Sequence, residues 1–453
     1  MTRQHGTAKV TRPVALPLGW AKRERSAPSM GFLKQSPGRR SKGPSLIDYK
    51  GDGHLMTLGP TGAGKSRGAA IPALLSHNGP AIVVDVKGEL FSTTARYRRS
   101  LGQTVYKLDP WGLLGGDTDA LNPLDLLTLP GVDLEEEVNV LSSLIAGPLG
   151  LHRDTFWDNT SQALNAGLIA YLATSVEEQD RRLSHVREMF AKDFSYLLAT
   201  LLDENKIQSE LARQEFAIFL QHPERETRPS VQSSAQQHFR LLGTEAVSRA
   251  MDQSTIPLED FINHQPITLY IVIPPHKLES HGAILRIWLG ILLQALSRRS
   301  SKGDYKTLFL IDEAAALGGM EPLKRAITLL RGYGVQVWTL WQDASQVQAN
   351  FPKDWKTIAN NSGVIQLLAP RNGRMAEEYA QLLGGISSEV FLGLGKNEQV
   401  LLTDREPVPI VCRQVDYLKD RRFAKRYDDN PLFSIRAQMA NVDKKGERNG
   451  LCQ

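Results

Sequence analysis

The sequence predicts an α/β protein with a central, mostly parallel sheet and an inserted all-helical domain. Short β-branched segments alternate with longer helical segments, which is the pattern of a parallel sheet covered by helices on both faces. In the middle of the chain, about 130 residues show only the helical spacing of apolar side chains. A glycine-rich loop follows the first of the predicted parallel strands.

The predicted strands fall into two groups, one on each side of the helical block. Leu308–Ile311, in the second group, is a continuous apolar run of the kind found in strands that are buried on both faces. The strands are His54–Leu58, Ala81–Val86, Thr104–Leu108, Ile267–Ile273, Thr307–Asp312, Val335–Trp341 and Val364–Leu368. We therefore expect one nucleotide-binding domain to be built from residues 46–131 and 262–418.

The block between the two groups, residues 132–261, is predicted to be a separate all-α domain. Its helical segments are Asp133–Ala146, Thr160–Thr174, Val186–Leu202, Ile207–Gln221 and Val231–Leu242. Gln232, Ser233 and Ser234 are candidate substrate contacts there, although an ordinary polar surface is the simpler explanation. A later apolar run, Ala283–Leu296, is interrupted by Arg286 and Gln294. It is shorter than the ~20 residues that cross a bilayer, and it predicts a buried or amphipathic helix.

The two ends of the chain differ from the rest in composition. Residues 1–50 hold eleven basic and two acidic side chains, a balance of +9 in a chain of net charge +5, so the remainder nets −4. We expect residues 1–45 to be a disordered basic leader. It either binds a polyanion, such as nucleic acid or an anionic membrane, or is simply solvated. The charged residues 419–453 predict a loosely held tail. Cys412 and Cys452 are far apart and indicate neither a disulfide nor a metal site.

The glycine-rich loop fits the pattern of glycine, four residues and Gly-Lys-Ser that cradles nucleotide phosphates. Its residues are Gly59, Pro60, Thr61, Gly62, Ala63, Gly64, Lys65 and Ser66. Glycines let the backbone wrap around phosphate oxygens, and the N-terminus of the following helix offers positive potential. In such a loop Lys65 contacts the β- and γ-phosphates, and the Ser66 hydroxyl ligates Mg²⁺. The alternative is a glycine-rich turn that matches the pattern by chance.

Two carboxylates, Asp312 and Glu313, close the apolar strand of the second group. A carboxylate at the tip of such a strand holds the Mg²⁺ shell in phosphate-loop enzymes, which is the predicted role of Asp312. Glu313 is placed to polarise an attacking water as a general base. The alternative is that Asp312 caps the next helix and Glu313 is a solvated first-turn charge. The phosphate-binding loop in the same predicted domain favours the catalytic interpretation.

These residues, together with motifs elsewhere, resemble the type IV secretion coupling proteins, also called conjugative DNA-transfer ATPases. The resemblance runs from about Leu55 to Leu402 and is not confined to the nucleotide loop. Its further motifs are Val84-Asp85-Val86-Lys87-Gly88-Glu89-Leu90 with Thr94, Arg96 and Gly102, then Leu108-Asp109-Pro110, Asn122-Pro123-Leu124, Phe156-Trp157, Leu330-Arg331-Gly332-Tyr333-Gly334 and Trp341-Gln342.

The resemblance implies a RecA-like P-loop NTPase domain with an all-α domain, ATP and Mg as cofactors, and a homo-hexamer as the active form. Arg331 would be the finger that reaches a neighbour's nucleotide, since a guanidinium fork neutralises charge on the departing γ-phosphate. Gln342 would sense that phosphate or orient water. The alternatives are a surface charge at a helix end for Arg331 and a polar residue at a sheet edge for Gln342. Asp85, Lys87 and Glu89 either support the nucleotide site or merely connect a strand to a helix.

By the same resemblance, the chain would recruit a relaxase–DNA complex or an effector protein and drive it into a secretion channel. Contact with DNA should be mainly with the phosphates of a single strand and independent of sequence. Family members commonly begin with two membrane-spanning helices, and this sequence shows none. We therefore expect a cytoplasmic location, or a peripheral one at the inner membrane. Docking to inner-membrane components of the secretion machinery would then use another subunit.

Three other functions fit parts of the sequence. A chromosome-type double-stranded DNA translocase would share the core and the basic charge but is not expected to carry the helical block. A protein-export ATPase of the same secretion systems would move protein rather than DNA. A receptor without motor activity would bind nucleotide for assembly only, and the presence of Lys65, Asp312, Glu313 and Arg331 argues against it.

Overall fold

A computed structural model describes residues 15–22, 44–147 and 155–431. Its strands, in chain order, are β1 (Leu16–Ala21), β2 (Leu46–Tyr49), β3 (His54–Leu58), β4 (Ala81–Asp85), β5 (Thr104–Leu108), β6 (Ile267–Val272), β7 (Thr307–Ile311), β8 (Val335–Trp341), β9 (Ser362–Leu368), β10 (Glu398–Thr403) and β11 (Glu406–Gln414). They form one eleven-stranded sheet in the order β2-β1-β11-β10-β9-β3-β8-β7-β4-β6-β5. The predicted α/β class is confirmed, and every strand predicted from the sequence is present.

The half of the sheet from β9 to β5 is entirely parallel. Apart from the edge strand β5, its strands are buried on both faces, because helices cover each side. In β7, Leu308 and Leu310 belong to one core, whereas Phe309 and Ile311 belong to the core on the opposite face. All of these strands end at one edge, here called the carboxyl edge, and they begin at the opposite edge, here called the amino edge. Ligands of open parallel sheets bind at the carboxyl edge.

The other half of the sheet was not predicted. β10, β11, β1 and β2 continue it in antiparallel fashion, with Trp20 opposite Arg413 and Lys22 paired to Glu398 at 2.7 Å. The expectation that residues 1–45 lack fixed structure is therefore wrong for Leu16–Ala21, which the sheet holds by backbone pairing. Residues 1–14 and 23–43 of the predicted leader lie outside the described residues.

The first part of the predicted tail packs onto the domain instead of hanging loosely. Phe423 is buried, Arg96 binds Asp428 at 2.6 Å, and the Asn430 amide donates to Glu89 at 3.1 Å. The expectation of a loosely held segment is therefore wrong for residues 419–431. Residues 432–453 of the predicted tail, with Cys452, lie outside the described residues.

Between β5 and β6 the described residues contain helices and no strand. The predicted helix Val186–Leu202 is in fact two, because Asp193 caps a new helix by accepting from the Tyr196 amide. The helical segments are Pro123–Thr128, Leu134–Ala146, Thr155–Thr174, Glu178–Asp180, Ser184–Phe190, Phe194–Asp203, Glu210–Gln221, Thr227–Phe239, Arg240–Gly243, Glu245–Met251 and Leu258–Ile262. The chain enters and leaves this block side by side, since Leu121 N donates to Ala250 O and Thr255 N to Ala120 O, both at 2.9 Å.

Helices outside this block cover the two faces of the sheet. They are Ser66–Ala70, Ile71–Ser76, Glu89–Ser100, Pro275–Ser297, Ala314–Leu317, Glu321–Leu329, Leu330–Tyr333, Ala344–Asn350, Trp355–Asn360, Gly373–Leu383, Ser388–Leu392 and Arg421–Phe423. Among the described residues, Pro275–Ser297 alone is long and apolar enough to cross a membrane. It is a core helix here: Trp288 is fully buried, and its indole donates to Leu121 O at 3.0 Å.

Candidate active site

The loop Gly59–Ser66 leaves β3 at the carboxyl edge, between β8 and β9. Gly62 and Gly64 have φ angles of +83° and +98°, a backbone region that favours glycine. A side chain on Gly64 would also meet Gln414, whose Oε1 lies 2.9 Å from the position of a Cβ. The chain then forms a π-helical turn, Ser66–Ala70, and continues as a helix through Ser76. The predicted strand–loop–helix context is therefore present, and the chance-match alternative loses its basis.

Lys65 folds back over this loop toward the carboxylates of β7. Its amino group donates to Gly59 O at 2.5 Å and lies 3.5 Å from Pro60 O. Burial lowers the pKa of Lys65, and the negative charges of Asp312 and Glu313 oppose that shift. The ammonium group of Lys65 and the carboxylates of Asp312 and Glu313 are therefore close enough to interact electrostatically.

Asp312 lies directly after β7 and is only 7% exposed. Burial raises its pKa to about 7; the negative charge of Glu89 adds to the shift, and Lys87 and Lys65 oppose it. Within the described chain, Ala314–Leu317 begins without a side-chain cap, so the structure does not support the capping alternative. Hard oxygen donors suit Mg²⁺, and the Ser66 hydroxyl and the Asp312 carboxylate are donors of that kind.

Gln342, which follows β8, links the loop to the second carboxylate. Its Oε1 lies 3.5 Å from Thr61 Oγ1, and its Nε2 lies 3.3 Å from Glu313 Oε2. The Gln342 backbone amide also donates to the Gln346 side chain at 2.9 Å, which fixes the turn. Gln342 follows β8, an interior strand, and so lies at the carboxyl edge beside the phosphate loop, where its role in hydrolysis stays a prediction.

Arg371 is a residue of this site that the sequence analysis missed. It follows β9, the neighbour of β3, and its guanidinium donates to Thr61 O at 2.5 Å. Arg371 is otherwise exposed, so its charge faces the mouth of the loop. The signal that points to it is position: a cation just past the end of a parallel strand beside the phosphate loop.

Asp85, Lys87 and Glu89 lie next to this constellation, because β4 pairs with β7. Asp85 is fully buried and accepts from the Phe91 amide at 2.8 Å through Oδ2, while its Oδ1 has no hydrogen-bond partner in the described residues. Burial raises the pKa of Asp85 to about 7, and the charge of Asp312 adds to the shift. The charges of this segment act on the strand-end carboxylate, and its supporting role at the nucleotide site stays a prediction.

Arg331 does not reach the nucleotide loop of its own chain. It is exposed in the turn Leu330–Tyr333, which precedes β8 and therefore lies at the amino edge. The seven residues of β8 separate it from Gln342, a span of about 20 Å at ~3.3 Å per residue. A nucleotide that contacts Arg331 must therefore be bound by another subunit.

The remaining motif residues of the resemblance stabilise local structure. The Asp109 carboxylate accepts from the Leu113 and Leu114 amides at 2.9 and 2.8 Å, and Asn122 caps the turn that begins at Pro123. Thr94 lies 2.6 Å from the hydroxyl of Tyr270. The roles of these motif residues are therefore to fix turns and to pack around the site.

Sequence comparison places the chain among conjugative transfer proteins. Residues 19–391 match the family described as type IV secretory system conjugative DNA transfer. Conjugal transfer protein TraG of Escherichia coli is 26% identical over 384 residues, which are 79% of this chain and 59% of TraG. Protein VirD4 of Rhizobium radiobacter is 25% identical over 413 residues, 83% of this chain and 58% of VirD4. The chain therefore spans less than two thirds of the length of these relatives.

Solved structures share the fold. The bacterial conjugative coupling protein TrwB, in a crystal form with sulphate, superposes with a TM-score of 0.64 at 14% identity and covers 80% of this chain and 85% of that one. VirB4 of Thermoanaerobacter pseudethanolicus gives a TM-score of 0.55 at 15% identity over 89% of this chain and 96% of VirB4. The fold is thus a RecA-like P-loop NTPase domain with an inserted helical domain, and the chain belongs to the type IV secretory system conjugative DNA transfer family.

Proposed function

We propose that this chain is an ATP-hydrolysing coupling protein that recruits a relaxase–DNA or effector-protein substrate and drives it into a type IV secretion channel. The observation that best supports hydrolysis is the link from Thr61 through Gln342 to Glu313, because it connects the phosphate loop to a candidate base. A receptor that only binds nucleotide has no use for that link.

The chemistry follows from the placement of these side chains. Water attacks the γ-phosphorus of ATP, an oxygen–phosphorus bond forms, and the bond to the β–γ bridging oxygen breaks to release ADP and phosphate. Glu313 takes the proton of the attacking water, and Gln342 orients that water through its amide. Lys65 neutralises charge on the β- and γ-phosphates. Ser66 and Asp312 would hold Mg²⁺, which when bound neutralises further charge on the phosphate oxygens.

The choice of ATP with Mg²⁺ draws support from TrwB, which has been solved with a non-hydrolysable ATP analogue and with ADP and Mg²⁺. TrwB has also been solved with a GTP analogue, so the base is not fixed by the fold. We assign the nucleotide chemistry to residues 46–131 and 262–418 and the selection of substrate to residues 132–261.

A ring of identical subunits, a homo-hexamer by family resemblance, is the assembly that makes Arg331 useful. The amino edge of one subunit then faces the carboxyl edge of the next, a head-to-tail contact that closes into a ring. Arg331 would enter the neighbour's site and neutralise the departing phosphate. We place this ring at the cytoplasmic face of the inner membrane, bound to inner-membrane components of the secretion machinery.

Steady-state ATPase measured with and without single-stranded DNA tests the proposal. We expect DNA to stimulate the wild type, and Lys65→Ala and Glu313→Gln to lower turnover at least about 100-fold. Glu313→Gln should still bind a fluorescent ATP analogue, whereas Lys65→Ala should bind it poorly. Glu204→Gln, an exposed carboxylate in the helical block, is the matched control. A wild type that hydrolyses no ATP under any condition refutes the motor.

The shared site has its own test. Turnover per subunit should fall on dilution, as rings dissociate. Mixing Arg331→Ala with Glu313→Gln subunits should restore activity, because some interfaces then combine an intact base with an intact arginine. Activity of the mixture equal to the average of the two variants contradicts a shared site.

The biological role is tested by co-purification with the relaxase of the same genetic element. We expect the complex to form with the full chain and to be lost when exposed residues of the helical block are changed. A complex with an effector protein, and none with relaxase, would assign protein as the cargo.

A further inference from the structure

A small cavity opens at the amino edge beside Arg331, far from the nucleotide loop of the same chain. Its volume is about 230 Å³. The loop that leads from helix Pro275–Ser297 into β7 forms one wall, and the turn before β8 forms another. The charged side chains that line it are Lys50, Asp52, Lys302, Asp304, Lys306 and Arg331, four cations to two carboxylates.

Two of these cations already have a carboxylate nearby. Lys306 binds Asp52 at 2.7 Å, and Lys50 lies 3.9 Å from Asp48. Lys302 and Arg331 are exposed, and no carboxylate of the described chain forms an ion pair with either. The pKa of Asp52 is lowered first by the hydrogen bond from Lys306, and the charges of Lys306, Lys302 and Arg331 add to that shift. With Asp304 and Asp52 counted, the four cations outnumber the two carboxylates of the lining, so the cavity carries a net positive charge.

The rim of this cavity suits contact with protein. Leu329, the last residue of the preceding helix, is 63% exposed, and Tyr333, in the turn of Arg331, is 38% exposed. Exposed apolar side chains around a charged centre are typical of a protein–protein contact, whereas a nucleic-acid surface is more uniformly polar and basic. A head-to-tail ring places the neighbour's phosphate loop against this edge.

We propose that Lys302 is a second cation, beside Arg331, that each subunit presents to the triphosphate bound by its neighbour. The inference rests on the proposed function, because it requires a ring of ATP-hydrolysing subunits. Lys302 and Arg331 approach from loops that precede adjacent strands, β7 and β8, so they can act on one polyphosphate together. The ammonium acts as a point charge on a phosphate oxygen, while the guanidinium fork supplies directed hydrogen bonds.

The test is ATPase turnover of Lys302→Ala in the full chain. We expect about a 10-fold loss of kcat, with the affinity of dilute, isolated subunits for a fluorescent ATP analogue unchanged. Lys302→Arg should retain most of the activity, and Lys192→Ala, an exposed lysine of the helical block, should retain all of it. The melting temperature of Lys302→Ala should match the wild type, because the side chain is exposed and unpaired.

Mixing assigns the role to the neighbouring subunit. Lys302→Ala subunits mixed with Glu313→Gln subunits should regain activity, since the second partner brings an intact lysine to an intact base. Wild-type turnover in Lys302→Ala, or a mixture that only averages the two variants, overturns the inference while leaving the proposed function standing. A wild type without ATPase overturns both.

Discussion

Gln342 lies between the phosphate loop and Glu313, the carboxylate proposed as the general base. One end of its amide faces Thr61 in the loop, and the other end faces Glu313. A phosphate that moves Thr61 therefore changes the orientation of the amide and, with it, the environment of the base. We therefore propose that this one residue both senses the nucleotide and positions water.

This arrangement predicts that Gln342→Ala separates binding from turnover. We expect the affinity for an ATP analogue to change little and kcat to fall about 10- to 100-fold, because only the orientation of water is lost. Single-turnover hydrolysis is the measurement. Gln221→Ala, an exposed glutamine of the helical block, is the control. A rise in KM with unchanged kcat would contradict the assignment.

Two buried histidines each contribute a loss of stability at acid pH. Burial lowers the pKa of His77 to about 3 and that of His54 to about 4, with the charges of Arg98 and Arg331 adding to the respective shifts. Each folded pKa is below the unfolded value of 6.5, so the free energy of unfolding is constant above that pH and falls as the pH drops through it. At about pH 5 the loss is about 2 kcal/mol for each histidine.

Because the raised pKa values of Asp85 and Asp312 act in the opposite direction, the contribution of His77 shows as a difference between variants. Between about pH 7.5 and pH 5, we expect the free energy of unfolding of His77→Gln to rise by about 2 kcal/mol relative to that of the wild type, measured by urea unfolding at each pH. Glutamine preserves the bond from the side chain to Pro80 O, which lies 3.2 Å from His77 Nε2, but it binds no proton. Equal acid sensitivity of the wild type and the variant would show that other groups dominate.

The site residues that the sequence revealed are those whose motif is local. The loop Gly59–Ser66 and the pair Asp312 and Glu313 can be recognised from a few adjacent residues. Arg371 could not be recognised in that way, because its contact with Thr61 joins residues 310 positions apart. The position of Arg331 at the amino edge could not be predicted from its motif either. It follows from the sheet, in which β8 begins at that edge and the turn with Arg331 precedes it.

At the scale of elements, the helix behind the phosphate loop is anchored at its far end by a buried arginine. Arg98 is fully buried and donates to Leu74 O at 3.2 Å, to His77 O, to Gly79 O at 2.5 Å and to the Thr268 hydroxyl at 2.9 Å. It therefore ties the end of Ile71–Ser76 to β6. Fixing the far end of this helix restricts its movement, which helps to hold the phosphate loop at its near end in place.

Arg98→Leu should destabilise the domain by at least about 3 kcal/mol, because buried carbonyl oxygens lose a charged donor. Urea unfolding measures the change. Arg99→Leu, at the adjacent exposed position, should stay within about 0.5 kcal/mol of the wild type. Equal values for the two variants would exclude an anchoring role for Arg98.

The strands recognised from sequence are the buried parallel ones, and β3, β5 and β8 match residue for residue. The antiparallel half was missed for a physical reason. β1 contains Pro17 and Gly19, and β11 contains prolines at positions 407 and 409, all of which disfavour strand by local criteria. These strands exist because of pairings between distant residues, such as Trp20 with Arg413, which no local pattern reveals.

At the scale of the whole molecule, the basic charge near the start of the chain is only partly accounted for by the fold. Of the eleven basic residues in 1–50, Lys22 pairs with Glu398, and Lys50 lies near Asp48. The other nine lie outside the described residues. Residues 23–43 lie between β1 and β2 along the chain.

Replacing Arg39, Arg40 and Lys42 by serine tests this charge without removing β1. If the segment binds single-stranded DNA, the slope of log K against log salt should decrease by about 2, from ~0.7 per phosphate contact. A variant that exchanges Arg and Lys at the same positions should keep the slope. An unchanged slope, together with lost binding to anionic vesicles, would assign the segment to membrane.

The backbone hydrogen bonds that join Ala120 and Leu121 to Thr255 and Ala250 have a consequence for how the helical block can vary. The chain leaves and re-enters the sheet domain through hydrogen-bonded backbone segments. The helical block between them can therefore be lengthened, shortened or exchanged while the strands of the sheet keep their spacing. A helical block taken from a relative and joined at these four residues should change which substrate is transferred. It should leave ATP hydrolysis as it was.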